Sequence, residues 1–209
     1  MEYKILHDSN LPLCFIGDTY NNNTLFDYFK DTRPCEKFLI EEIKNKDKHW
    51  FAARQFMSCG TGQAFKKQIV NSLEEFNLNW FSVISANTHL GHDVQIGHNT
   101  FINNFNVILD KTIIGNHCVI TAFVCISHSV NIGDFCHISP YSYLCFTRLG
   151  AGVYIGTRST FTGNEQNIIN ITDWCNFMLD SVVTGDITEA GTYYGKRKHS
   201  NETSLTLSI

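Results

Sequence analysis

From residue 84 the chain places a large aliphatic side chain at every sixth position: Ile84, Leu90, Ile96, Ile102, Ile108, Ile114, Ile120, Ile126, Ile132, Ile138 and Leu144. An α-helix repeats at about 3.6 residues and an alternating strand at 2, so a sustained period of six needs another backbone. A coil with flat sides supplies one: each side is a short strand that points one aliphatic at the axis. Gly97, Gly115 and Gly133 each follow an axial isoleucine at intervals of 18 residues, which gives the coil three sides. Four residues after most axial positions the side chain is small, as at Thr100, Thr112, Cys118, Val124, Val130 and Cys136. A narrow prism has room for one large residue per side. The count slips after Leu144 to Leu149, resumes through Ile155 and Phe161, and returns at Ile171, Phe177 and Val183 after extra residues near 164–168. Loop insertions at corners often carry function.

Residues 1–82 lack this period. Of the 14 glycines, 11 lie after residue 90, so the two parts of the chain follow different rules. In the first part, Leu13–Gly17 reads as a buried strand and Thr24–Lys30 as a short helix with Thr24 as its cap. Phe38–Ile43 is ambiguous, Trp50–Gly60 reads as a strand, and Gln63–Leu78 has helical spacing. Such units predict a small α/β domain over 1–82, with a ligand near the carboxyl ends of its strands. The loop Gly17-Asp18-Thr19-Tyr20-Asn21-Asn22-Asn23 is not a GxGxxG turn. Its asparagines suit hydrogen bonds to a base or ribose, and equally suit a plain surface turn. Gly60 and Gly62 leave room for backbone to approach a ligand.

The net charge of −4 argues against a general binder of nucleic-acid backbone. No apolar run reaches the 18 or so residues of a membrane span. The start, MEYKILHDSN, has no signal-peptide pattern, so a cytoplasmic setting is expected. The eight cysteines contain no CxxC pair and read as small buried hydrophobes, with Cys118 and Cys136 stacked inside the prism.

The repeat resembles that of the hexapeptide acyltransferases, which implies a left-handed parallel β-helix over residues 83–209. An α/β domain followed by such coils is similar to the branch of sialic acid O-acetyltransferases and nucleotide-amino-sugar N-acetyltransferases (the NeuD and PglD families). That resemblance implies a homotrimer with active sites between neighbouring prisms. It implies acetyl-CoA held by the β-helix and a nucleotide-linked amino sugar held by the N-terminal domain. Gly17, Asp18, Thr19, Asn21 and Gly60 are the candidate nucleotide-sugar residues. This chain departs from the family at DTYNNN, where a glycine-rich loop is usual.

The stretch 126–140 (ISHSVNIGDFCHISP) is similar to the family's catalytic segment. By resemblance His128 is the general base and His137 lies near the thioester of acetyl-CoA. A neutral imidazole can take the proton of an attacking amine or hydroxyl. Ser129 stands where the family often has an acid. Asp110, 18 residues before His128, shares its column and is a candidate support for it, or a member of an outward polar ladder. Resemblance places the oxyanion's backbone donor at Phe146, and further acetyl-CoA contacts at Thr157, Asp180 and Lys196. The favoured acceptor is a nucleotide-linked amino sugar, with a 4-amino-4,6-dideoxy sugar as the expected kind. The alternatives are O-acetylation of a sialic acid or related sugar, and an inactive scaffold. β-Helical carbonic anhydrases are a metal-dependent relative class, but Gly133 stands where their third zinc ligand would fall, so no metal is expected.

Overall fold

A computed structural model describes residues 2–59 and 62–194. From residue 82 onward the chain winds through three parallel sheets whose strands mostly span two or three residues. The ladder pairs equivalent residues one coil apart: Ile114 with Ile132, Ile120 with Ile138, Ile126 with Leu144. These axial side chains form one buried core with Cys118, Val124, Val130 and Cys136. The architecture is a left-handed β-helix preceded by a small α/β unit. The slip after Leu144 shortens one coil, since Ile132 pairs with Leu149. The insertion at 163–168 lengthens the next, since Leu149 pairs with Ile171. Leu90, in the first strand of its sheet, is 40% exposed because no coil lies beneath it.

The corner glycines supply clearance and not left-handed backbone. A Cβ on Gly97 would lie 2.6 Å from the Gly115 carbonyl carbon, and one on Gly133 would lie 2.7 Å from that of Gly150. The left-handed turn falls two residues later, on Asn99, His117 and Phe135, all with φ between 52° and 60°. Such backbone is unfavourable for bulky residues. Here it is held by the coil below: His117 N–H donates to His98 O at 2.7 Å and Phe135 N–H to Asn116 O at 2.9 Å.

The α/β unit comprises β2 (Leu13–Ile16), α1 (Tyr20–Phe29), β3 (Cys35–Phe38), α2 (Ile40–Ile43), α3 (Lys48–Ala52), β4 (Gln55–Met57) and α4 (Gln63–Ser72). Its sheet is parallel in the order β3-β2-β4. The strand β1 (Tyr3–Leu6) leaves this unit and pairs antiparallel with β5 (Ser82–Ser85), on the edge of a β-helix sheet. That sheet's outer face meets the α/β unit through Val83, Phe101 and Val119, packed with Leu13, Phe15 and Met57.

Local chemistry moved several boundaries. Thr19, not Thr24, caps α1 by accepting the Asn22 N–H at 3.2 Å. The segment read as one strand over 50–60 divides, because Asp47 accepts the Trp50 N–H at 2.8 Å and starts α3. The helix expected to reach residue 78 stops at Ser72, and a 3₁₀ turn over Glu74–Phe76 ends on left-handed Asn77. The ambiguous 38–43 segment is the end of β3 followed by α2. No helix among the described residues is long and apolar enough to cross a membrane.

Candidate active site

His128 sits on the corner between the strands Cys125–Ile126 and Asn131–Ile132, and is exposed. Its position in the coil, two residues after an axial aliphatic, has a structural use elsewhere. Asn116, Asp134 and Asp173 turn their side-chain oxygens to the coil below and accept the backbone N–H groups of His98, Asn116 and Ala151 at 2.7–2.8 Å. Asp110 belongs to this ladder: its carboxylate accepts the His92 N–H at 2.8 Å. It therefore braces the coil beneath it, which is the ladder alternative of the sequence reading. His128 stands at the coil position where Asp110, Asn116, Asp134 and Asp173 have bracing side chains. Ser129 follows with φ 56° and forms the turn.

Phe146 occupies the same corner one coil on, with φ 46°. Its N–H donates to His128 O at 3.2 Å and its carbonyl accepts the Ile169 N–H at 3.0 Å. The expectation that this N–H receives an oxyanion is therefore corrected, because it closes the ladder above His128. The shortened coil puts the left-handed residue two positions after the axial Leu144, whereas Ser129 and Phe135 lie three after Ile126 and Ile132.

His137 lies on another side of the prism. Val119, His137 and Tyr154 are in register on the outer face of the sheet that carries the α/β unit. The His137 ring lies 5.4 Å from that of Tyr154. Burial, with the nearby Lys66 charge, pushes its pKa down to about 4. It is thus a neutral donor or acceptor near pH 7. In the triangular cross-section the His128 corner is opposite the His137 sheet, so one chain does not bring the two imidazoles to one thioester.

Thr157 and Asp180 share the third corner, where Asp180 N–H donates to Thr157 O at 2.9 Å. The Asp180 carboxylate forms two 2.8 Å hydrogen bonds with Arg158, whose pKa they raise. Lys196 and Gly60 lie outside the described residues.

In the α/β unit, Gly17 and Asp18 line a pocket of about 220 Å³ with Lys37, Phe38, Leu39 and Glu42. It opens at the carboxyl ends of β2 and β3, where ligands of such sheets bind. The last four of these residues were missed; Phe38, Leu39 and Glu42 lie in the segment that pattern alone could not assign to strand or helix. The Glu42 carboxylate accepts the Leu39 N–H at 2.6 Å and shapes the rim. Most of the asparagine loop is engaged internally. Buried Asn22 donates to Ile16 O at 2.7 Å and Gly17 O at 2.9 Å, and accepts the Cys59 N–H at 3.1 Å. Thr19 donates its hydroxyl to Cys59 O as well as capping α1, so its side chain pins the loop to the end of β4. Asn23 donates to Asp18 and accepts from Lys37. Among the described residues no group of three or more potential metal ligands occurs.

Residues 93–128 match the family described as bacterial transferase hexapeptide (six repeats). That match lies within the β-helix. No curated protein matches it. Among solved structures, WeeI from Acinetobacter baumannii is similar with a TM-score of 0.77 at 15% identity, over 88% of this chain and 97% of that one. PerB from Caulobacter crescentus, solved with CoA and GDP-perosamine, reaches 0.72 at 11% identity, over 88% and 94%. The acetyltransferase domain of PglB from Neisseria gonorrhoeae with acetyl coenzyme A reaches 0.59 at 14% identity, over 90% and 97%. At these identities the shared property is the fold. This hexapeptide-repeat chain spans nearly the full length of each.

Proposed function

We propose that the chain is an acetyl-CoA-dependent N-acetyltransferase acting on a nucleotide-linked amino sugar. The observation that carries this reading is His128: an exposed imidazole on a β-helix corner, directly below the shortened coil that starts at Phe146. Its support is the fold shared along nearly its whole length with PerB, a protein solved with CoA and GDP-perosamine. The acceptor is expected to be a 4-amino-4,6-dideoxy sugar. Residues 1–82 hold its nucleotide, in the pocket beside Gly17 and Phe38, and 83–209 carry the transfer.

In the reaction the sugar amine attacks the thioester carbonyl, and His128 removes the amine proton as the C–N bond forms. The C–S bond then breaks, the amide is released, and the CoA sulfur leaves as thiolate and is protonated. General bases of this kind contribute typically 10²–10⁴-fold. Because His128 and His137 face opposite ways in one chain, a complete site combines His128 of one copy with His137 of the next. This requires an oligomer, and a homotrimer with cytoplasmic acetyl-CoA is the form we propose.

Thiol release from acetyl-CoA, followed with a panel of nucleotide-linked amino sugars and free sialic acid, tests the reading. His128→Ala is expected to lower kcat about 10²–10⁴-fold with the melting temperature unchanged. Equal rates for the two proteins would remove the general-base role. Turnover with hydroxyl acceptors alone would replace N- by O-acetylation.

A further inference from the structure

Among the described residues, the one fully buried charge has no counter-charge. Lys66, on α4, is 1% exposed and is the one charged side chain in the buried set among the described residues. Its Nζ donates to the His117 carbonyl at 3.0 Å. An ammonium has three N–H donors, and no carboxylate acts on this one. The groups that feel its charge are the thiols of Cys59 and Cys118 and the imidazoles of His117 and His137. Cys59 follows β4, so the ammonium lies at the carboxyl end of that strand, in the seam between the α/β unit and the β-helix.

Two further observations converge on the same place. The two buried side-chain atoms that lack any hydrogen-bond partner, among the described residues, are Ser58 Oγ and Gln63 Nε2. Ser58 is fully buried beside Cys59, and Gln63 is the first residue of α4. Gln63 and Lys66 are three apart and therefore share one face of that helix. The N-terminus of this ten-residue helix has no side-chain cap and no acid in its first turn. By contrast, the N-terminus of α1 is closed by Thr19. Buried polar groups are normally satisfied, and an unpaired buried cation is costly. Two orphaned polar groups, a cation and a free helix N-terminus at one strand end are what an anion would complete.

We infer that the first turn of α4, with Gln63, Lys66 and Ser58, binds a diphosphate group. This rests on the reading of the substrate as nucleotide-linked, and deepens it. The site is on the same carboxyl edge of the sheet as the β2–β3 pocket, across the Asn22 and Thr19 pin to Cys59. A nucleoside in that pocket would direct its diphosphate toward α4, and the sugar beyond it toward the outer face that carries His137. CoA also carries a diphosphate, so the test must separate the two sources.

The experiment is calorimetric titration of the whole protein with UDP, GDP, CoA, inorganic pyrophosphate and the nucleosides uridine and guanosine. Wild type is compared with Lys66→Met and Gln63→Leu, alongside thermal melts. Lys66→Met is expected to weaken UDP or GDP at least tenfold, to leave nucleoside and CoA affinity unchanged, and to keep or raise the melting temperature. A merely structural lysine would lower the melting temperature and leave diphosphate affinity alone. Gln63→Leu should weaken the same probe by a smaller factor. Nucleotide affinity within twofold of wild type in folded Lys66→Met overturns the inference and spares the nucleotide reading. Selective loss of CoA affinity overturns the nucleotide-sugar source. If no nucleoside or nucleotide binds wild type, both the subsite and the nucleotide reading fail.

Discussion

The β-helix and the α/β unit are built by opposite means. In the β-helix one rule is applied repeatedly: an axial aliphatic, a tight corner, a left-handed residue and a bond to the coil below. Every coil rests on its neighbour, so the core is a column whose members are interchangeable in kind. The α/β unit has no repeated rule. Its order depends on single pins such as Asn22, which joins the ends of β2 and β4 through three backbone groups. Repetition makes a rigid scaffold, and the deviations from it are where chemistry is placed. Single pins make a unit that can be rewired, which suits the substrate-holding role proposed for it.

Breaking the column should have the largest effect. Ile120 is fully buried between Ile102 and Ile138. Ile120→Asp forfeits about 1.5–3 kcal/mol of burial and adds a desolvated carboxylate. Circular dichroism and light scattering should show an unfolded or aggregated protein. A folded, trimeric variant would falsify the register.

A pin in the other region should cost less and act locally. Asn22→Ala leaves the buried backbone groups it served without partners, at about 1–3 kcal/mol for each group orphaned. Hydrogen exchange should rise in β2, α1 and β4 while the β-helix amides stay protected. Uniform loss of protection across both regions would show that they unfold as one unit.

The seam between the two should respond to acid. Burial and the Lys66 charge hold His117 and His137 at pKa values of about 4, below the ordinary 6.5. For these groups the unfolded chain binds more protons between the two values, so stability rises with pH in that window. Their contribution is complete above about pH 6.5 and is lost as pH falls toward 4. Thermal melts from pH 8 to 4 should show this decline, and His117→Asn should flatten it. An unchanged slope in that variant would assign the decline to other groups.

Much of the β-helix was legible in the chain because its contacts are periodic: residue i meets residue i+18, so spacing alone reveals the neighbours of Ile120. His128 was legible through its segment, and the ladder position it occupies became visible only with the coils stacked. The α/β unit was read less well. Thr19 and Thr24 are equally good caps in isolation, and packing chose between them. Asp110 shares a column with His128 in the sequence, but its backbone geometry aims the carboxylate at the coil below.

The sequence by itself determined the three-sided coil, its register, its slip after Leu144 and the exposed histidine at a corner. Tertiary structure alone decided that His128 and His137 look away from each other, that the N–H of Phe146 is already taken, and that Lys66 lies buried without a counter-charge among the described residues. The physical reason is range. A six-residue period is carried by side-chain volume at each position, whereas hydrogen-bond partners and buried charge depend on which distant backbone arrives beside them.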